Sequence, residues 1–268
     1  MSVATAMSIA GSDPSGGAGI QADLKSFSAR GVYGMAAITA LTAQNTQGVA
    51  GVHVVPADFV SQQIRTVFDD IDVHAVKIGM IANAEIALAV AEALAGFSGA
   101  VVLDPVMVAK GGNPLLPEQA VSALRAKLLP LATVLTPNLP EAGALLGERA
   151  ATSRETMKAQ GLALLEHGPK AVFMKGGHLE AADCPDLLVT RETEIWLDGP
   201  RFKTKNTHGT GCSISSAIAA ELAKGKELAE AVTAARRWLQ GAIESADSLG
   251  IGHGHGPTHH FYALWPVA

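Results

Sequence analysis

Cysteine is scarce in this chain: 268 residues contain only 2, Cys184 and Cys212. So few exclude a disulfide framework and suit a reducing cytoplasm. Charged residues make up 17% and aromatics 4%, with a formal net charge of −5 and no basic run. Nucleic-acid binding therefore has no electrostatic footprint. The first ten residues lack the basic start of a secretory leader. The longest apolar stretch, 86–103, is broken by Glu92, Gly96, Ser98 and Gly99. It reads as helix, turn and strand, and no membrane span is expected. No G-x-x-x-x-G-K-[ST] occurs, and Ile214 stands where the third glycine of G-x-G-x-x-G belongs. Both common nucleotide fingerprints are thus missing.

What is present is a compact, apolar-rich chain: 48% of the residues are hydrophobic. Short apolar runs at 7–10, 35–41, 75–79, 100–103, 133–136 and 171–174 alternate with helical patterns. Those patterns cover 20–30, 58–70, 84–94, 118–129, 139–146 and 154–167, then 213–224 and 228–249. Residues 187–190 and 194–197 flank a polar turn and predict a small hairpin late in the chain. The alternation predicts an α/β fold, a mostly parallel sheet with helices on both faces. No composition shift marks a boundary, so 1–268 reads as a single domain. Polar or glycine-rich stretches recur at the carboxyl ends of the strands, where open α/β sheets bind ligands.

The chain is organised around Asn206-Thr207-His208-Gly209-Thr210-Gly211-Cys212. A glycine turn opening a helix leaves amides unpaired at its positive end. Gly209, Thr210 and Gly211 therefore mark either an anion site or a tight turn. Cys212 at the helix start is either a low-pKa thiol or a small buried hydrophobe, and the first predicts labelling faster than at Cys184. Lys175, after a buried strand, is a point charge for phosphate or a solvated strand end. Asn138 and Glu141 lie three apart at a helix start, where they organise water around Mg²⁺ or cap the helix. Asp104 ends a strand and either orients a hydroxyl or the metal's water shell, or caps a turn. Gln44 offers the donor and acceptor that match an aminopyrimidine edge, or is structural. Met80 and Met107 line a ring pocket or fill the core. His253, His255, His259 and His260 sit among glycines without a zinc motif. Residues 108–114 read as a lid over a charged ligand or as an exposed loop.

Taken in order, these stretches resemble the hydroxymethylpyrimidine/phosphomethylpyrimidine kinases of thiamine biosynthesis, in the ribokinase-like superfamily. The resemblance rests on Gly11-Ser12-Asp13 with Ser15 to Asp23, Thr42-Ala43-Gln44-Asn45-Thr46, Lys77-Ile78-Gly79-Met80 and Asp104-Pro105-Val106-Met107. It continues through Thr136-Pro137-Asn138 to Glu141, Lys175-Gly176-Gly177-His178, His208 to Cys212 and Gly254-His255-Gly256-Pro257. Thr42 stands where an aliphatic residue is expected. The resemblance implies a homodimer and two successive ATP-dependent phosphorylations of 4-amino-5-hydroxymethyl-2-methylpyrimidine. It implies that Gln44 binds the pyrimidine, with Gly11, Asp23, Met80 and Val106 around it. Lys175 would touch the ATP phosphates, Asn138 and Glu141 organise Mg²⁺, and Gly209, Thr210 and Gly211 form the anion hole. Cys212 would be the catalytic base. A pyridoxal or pyridoxine kinase, and a non-catalytic pyrimidine-binding protein, are the competing readings.

Overall fold

A computed structural model describes residues 3–107 and 117–265. The predicted lid, 108–114, lies outside the described residues. Among the described residues ten strands are present: β1 (Thr5–Ala10), β2 (Tyr33–Ile38), β3 (Ala40–Asn45), β4 (Gly48–Val54), β5 (Ala75–Ile78), β6 (Ala100–Leu103), β7 (Val134–Leu135), β8 (Ala171–Met174), β9 (Asp186–Val189) and β10 (Glu194–Leu197). The helices are α1 (Gly19–Ala29), α2 (Ala57–Phe68), α3 (Ala84–Ala93), α4 (Glu118–Ala123), α5 (Leu139–Leu146), α6 (Arg154–Leu165), α7 (Thr210–Ala223) and α8 (Leu228–Glu244).

Eight strands form one sheet in the order β10-β9-β8-β7-β6-β5-β1-β2. All pairs from β2 to β8 are parallel, and β9 and β10 run antiparallel as the late hairpin. The α/β expectation therefore holds. Side chains alternate across the sheet. Met7, Ile9, Val76, Ile78, Val101 and Leu103 face a core built with α2, α3, α5 and α6. Ala6, Ala75, Val102, Val134 and Phe173 face the other core, with α1, α7 and α8.

Three local features differ from the sequence reading. The 35–41 run is not one strand: it is divided between β2 and β3, which belong to different sheets. Residues 48–54 form β4, which pairs antiparallel with β3 as a separate two-stranded unit. Gly48 and Gly51 and the exposed side chains hide this strand, because nothing buried gives it a period-2 signal. The segment 118–129 is not one α-helix: α4 passes into a π-helical turn at Leu124–Leu128 and a 3₁₀ turn at Leu129–Leu131.

On the α1/α7 face, alternation would place aliphatic residues at Ser8 and Lys77. Instead Lys77 is fully buried, and its Nζ donates to both carboxylate oxygens of Asp23 at 2.9 Å. Ser8 Oγ and Ser216 Oγ donate to the same carboxylate at 2.6 and 2.7 Å. Burial alone would depress the Lys77 ammonium, but the Asp23 carboxylate raises it well above its ordinary range. One ion pair thus joins β1, β5, α1 and α7. Removing one partner of such a pair leaves an uncompensated buried charge. Lys77→Met should lower stability by about 3–5 kcal/mol in urea unfolding, and Lys77→Met with Asp23→Leu should recover most of it.

Candidate active site

The carboxyl ends of β1, β5, β6, β7 and β8 open on a cleft of about 910 Å³. It lies at the switch point of the sheet, where β1 is flanked by β2 on one side and β5 on the other. Gly11, Gln44, Met80, Asp104, Val106, Asn138, Glu141, Lys175, Gly209, Thr210, Gly211 and Cys212 all line it. Residues far apart in sequence thus meet because each ends a strand or starts a helix on one edge.

The substrate-like half is built on β1, β3 and the end of β5. A side chain at Gly11 would lie 2.3 Å from Met80 Cε, so only glycine lets Met80 lie over this backbone. Gln44 projects from β3 into the same space, half-buried. Thr42 is bound to the loop after β1, with its N–H on Ser12 Oγ at 3.2 Å and its hydroxyl on the Ser12 carbonyl at 2.9 Å. Asp23, expected at the substrate, is placed elsewhere. It is 0% exposed, its carboxylate is taken up by Ser8, Lys77 and Ser216, and it does not line the cleft. Direct contact with a ligand is closed to it, because all its acceptor capacity faces inward.

The anion-like half centres on α7. Gly209 precedes its first residue with φ +77, and a Cβ there would lie 1.8 Å from the Gly17 carbonyl oxygen. The glycine therefore allows both the left-handed turn and the contact with the first loop. Beyond it, Thr210 N–H reaches back to the Thr207 carbonyl at 3.4 Å, and the next amides of the helix start have no carbonyl one turn back. Lys175 faces this helix start: a Cβ at Gly211 would lie 3.3 Å from its Nζ. The ammonium donates to Asp104 Oδ1 at 2.7 Å and lies 3.7 Å from Glu141 Oε2. Burial opposes its charge, yet Asp104 and Glu141 raise it above the ordinary lysine value. One lysine cannot neutralise two buried carboxylates. Glu141, the more distant, is pushed up to about 7 by burial, opposed by Lys175, with Asp104 adding to the rise.

Asn138 and Glu141 also form a reciprocal cap on α5. Glu141 N–H donates to Asn138 Oδ1 at 2.9 Å, and Asn138 N–H to Glu141 Oε2 at 2.8 Å. The capping alternative is thus realised. The cap occupies Oε2 of Glu141, a residue of the cleft wall. No group of three or more metal-binding side chains occurs among the described residues. A cation that keeps most of its water and takes few carboxylates still fits such a pair.

Cys212 departs from expectation. Its thiol is pushed up to about 11, first by burial and further by Asp23 and Asp104. The Lys77 ammonium and the Gly19 N–H oppose this rise without overcoming it. The helix start does not outweigh desolvation, and the predicted low-pKa thiol is not formed. Cys184 is also raised, chiefly by burial.

Asp13 and His208 were not assigned roles from the sequence. Asp13 is buried, and its Oδ2 lies 2.7 Å from His208 Nε2. The histidine-rich tail is a clamp. His255 N–H donates to the Thr46 carbonyl at 2.8 Å, and His208 N–H to the Gly256 carbonyl at 3.0 Å. The tail thus ties the end of β3 to the start of α7.

The whole arrangement has counterparts among known proteins. The family model for phosphomethylpyrimidine kinase matches residues 13–259. The chain belongs to the phosphomethylpyrimidine kinase family. It is a phosphotransferase of ribokinase-like fold. It is 53% identical to a hydroxymethylpyrimidine/phosphomethylpyrimidine kinase of Salmonella typhimurium, over 97% of this chain and 98% of that one. A protein of the same description from Rhizobium meliloti is also 53% identical, over 98% of each chain. Among solved structures, a Bacillus subtilis pyridoxal kinase in complex with ADP superposes with a TM-score of 0.91 at 38% identity. It covers 99% of this kinase and 100% of its own chain. A phosphomethylpyrimidine kinase of Clostridium difficile gives a TM-score of 0.80 at 44% identity, covering 90% of this kinase and 99% of its own chain. Among the described residues, no helix of the kinase is long and apolar enough to cross a membrane.

The thiol supplies a direct check. The alkylation rate of Cys212 should climb with pH around an apparent value near about 11. Substrate-protected labelling with a midpoint below the ordinary thiol value of about 8.5 would contradict the burial argument.

Proposed function

We propose that this kinase transfers phosphate from ATP to the hydroxymethyl group of 4-amino-5-hydroxymethyl-2-methylpyrimidine, and then phosphorylates that monophosphate to the diphosphate, in thiamine biosynthesis. One observation carries the reading. A single cleft holds a half-buried carboxamide, Gln44, at one end and a lysine facing a glycine-opened helix, Lys175 and Gly211, at the other.

In this reading Gln44 pairs with the donor–acceptor edge of the aminopyrimidine. Met80 and Val106 flank the ring, and Gly11 leaves room for it. The nucleotide base lies against apolar residues of the cleft wall, Phe202, Leu239 and Ile243 among them. The amides of Gly209, Thr210 and Gly211, with Lys175, receive the transferring phosphoryl charge. Phosphoryl transfer depends chiefly on such positioning and charge stabilisation. Glu141 and Asp104, with Asn138 holding Glu141, would carry hydrated Mg²⁺, which neutralises phosphate charge when bound. The reading also includes a cytoplasmic homodimer. The exposed Leu41, Val52 and Val54 on β3 and β4 support self-association.

Cys212 is the base of the first transfer. The hydroxymethyl oxygen takes the γ-phosphoryl group as the bond from that phosphorus to the ADP oxygen breaks, and its proton passes to the small fraction of Cys212 that is thiolate near neutral pH. The Lys77 ammonium beneath it stabilises that thiolate. The second transfer differs, because its nucleophile is a phosphate oxygen already ionised near neutral pH.

Three outcomes are expected. Gln44→Leu should weaken pyrimidine binding by about 1–3 kcal/mol and spare ATP, as read by calorimetry. Lys175→Ala should raise the KM for ATP and slow transfer while free pyrimidine still binds. Cys212→Ser should slow the first phosphorylation by about 10²–10⁴-fold and the second far less. Product analysis with the pyrimidine alcohol, its monophosphate and pyridoxal offered separately tests the substrate. Turnover of pyridoxal alone would overturn the pyrimidine reading.

A further inference from the structure

The connection from β8 to β9 doubles back on itself beside the cleft. It leaves through Lys175 and Gly176 and returns at Pro185, and a Cβ at Gly176 would lie 1.7 Å from the Pro185 carbonyl oxygen. The neck of this loop is held by a buried pair. Asp186 Oδ1 accepts from Gly176 N–H at 2.9 Å. Arg236 of α8 donates to the other oxygen of that carboxylate and to the Cys184 carbonyl. Beyond the neck the chain turns tightly, with Leu179 N–H on the Gly176 carbonyl and Ala181 N–H on the Leu179 carbonyl.

One side chain from outside the loop gathers it. Arg201 follows β10, on the segment that continues through Phe202 to the glycine turn before α7. Its Nε donates to the Ala181 carbonyl at 3.1 Å and its Nη1 to the Gly177 carbonyl at 3.0 Å. Its Nη2 donates to the carbonyls of Leu179 and Asp183 at 2.8 and 3.2 Å. A planar guanidinium thus directs four N–H groups at alternate carbonyls of one loop. An ammonium, with three hydrogens on one atom, cannot reproduce this. Gly177 and His178 of the loop and Pro200, Arg201 and Phe202 of the segment line the same cleft. Arg201 therefore joins two rims of that cleft, one continuous with Lys175 and the other with Phe202.

We propose that Arg201 is a positioning residue for the nucleotide, holding residues 177–183 folded as one wall of the nucleoside triphosphate site before the ligand arrives. Arg201 is exposed and its bonds close a surface loop. Its loss frees the loop locally and leaves both cores packed. The nucleotide must then order the loop as it binds, which weakens affinity without altering the transfer step. Pre-organisation of this kind acts on the KM for ATP and not on kcat. The inference rests on the placement of the nucleotide against Phe202, Leu239 and Ile243 given above.

Steady-state kinetics and hydrogen exchange test it together. Arg201→Ala should raise the KM for ATP about tenfold, with kcat at saturating ATP and the KM for the pyrimidine alcohol within about twofold of wild type. Arg201→Lys keeps the charge and should behave like Arg201→Ala, because one ammonium cannot gather four carbonyls. In both variants the amides of Leu179 and Ala181 should exchange faster than in the wild type, and ADP should restore their protection. Should Arg201→Ala fail to fold, Arg201→Lys carries the same measurements. An unchanged KM for ATP in these variants would overturn the proposal. Wild-type behaviour of Arg201→Lys alone would overturn it too, by making charge and not loop shape the cause. If ADP protects residues 177–178 and 200–202 of the wild type, but Arg201→Ala leaves exchange at Leu179 and Ala181 unchanged, only the positioning fails. If ADP leaves both rims unprotected and protects the end of β3 instead, the nucleotide placement itself fails.

Discussion

The fold and its site both hang on a buried ion pair. Lys77 and Asp23 meet with zero exposure between sheet and helices, and Ser8 and Ser216 complete the bonding of the carboxylate. The pair tolerates burial because every strong acceptor and donor has a partner. Its geometry has consequences above it. Asp23 lies on α1 and Ser216 on α7, so the pair sets the spacing between the glycine loop after β1 and the start of α7. That spacing brings Gly17 against Gly209, and it places Cys212 over the ammonium.

Charge balance in the cleft follows from a shortage of cations. Lys175 stands between Asp104 and Glu141 and satisfies the nearer one. The site therefore carries more carboxylate than ammonium before any ligand arrives. Phosphate would add to that negative charge, which is why a divalent cation suits the pair and why the amides at the helix start matter. The same excess explains the thiol. Asp23 and Asp104 join burial in raising Cys212, and the helix start alone does not reverse it.

Much of this protein was legible in its sequence. Apolar runs alternating with helical periods determined the parallel sheet, because a strand covered on both faces is apolar at nearly every position. Glycine turns and polar residues gathered at the strand ends marked the ligand edge. The ordered motifs pointed to the kinase family, and nearly all the residues they singled out line one cleft.

Other features were decided only in three dimensions. β4 pairs with β3 across an exposed surface, where no burial imposes a pattern. Asp23 looked like a ligand contact because its motif neighbours are, yet it turns inward to Lys77, a partner 54 positions away. The Cys212 thiol depends on groups from several elements and on desolvation, neither of which local sequence records. Asp13 and His208 lie 195 positions apart, so their pairing is invisible until the tail and the first loop close on α7. The sequence by itself determined which elements form and which residue types gather at the strand ends. Tertiary structure decided the direction each polar side chain faces and the charge it holds there, because those depend on contacts between distant residues and on exclusion of water.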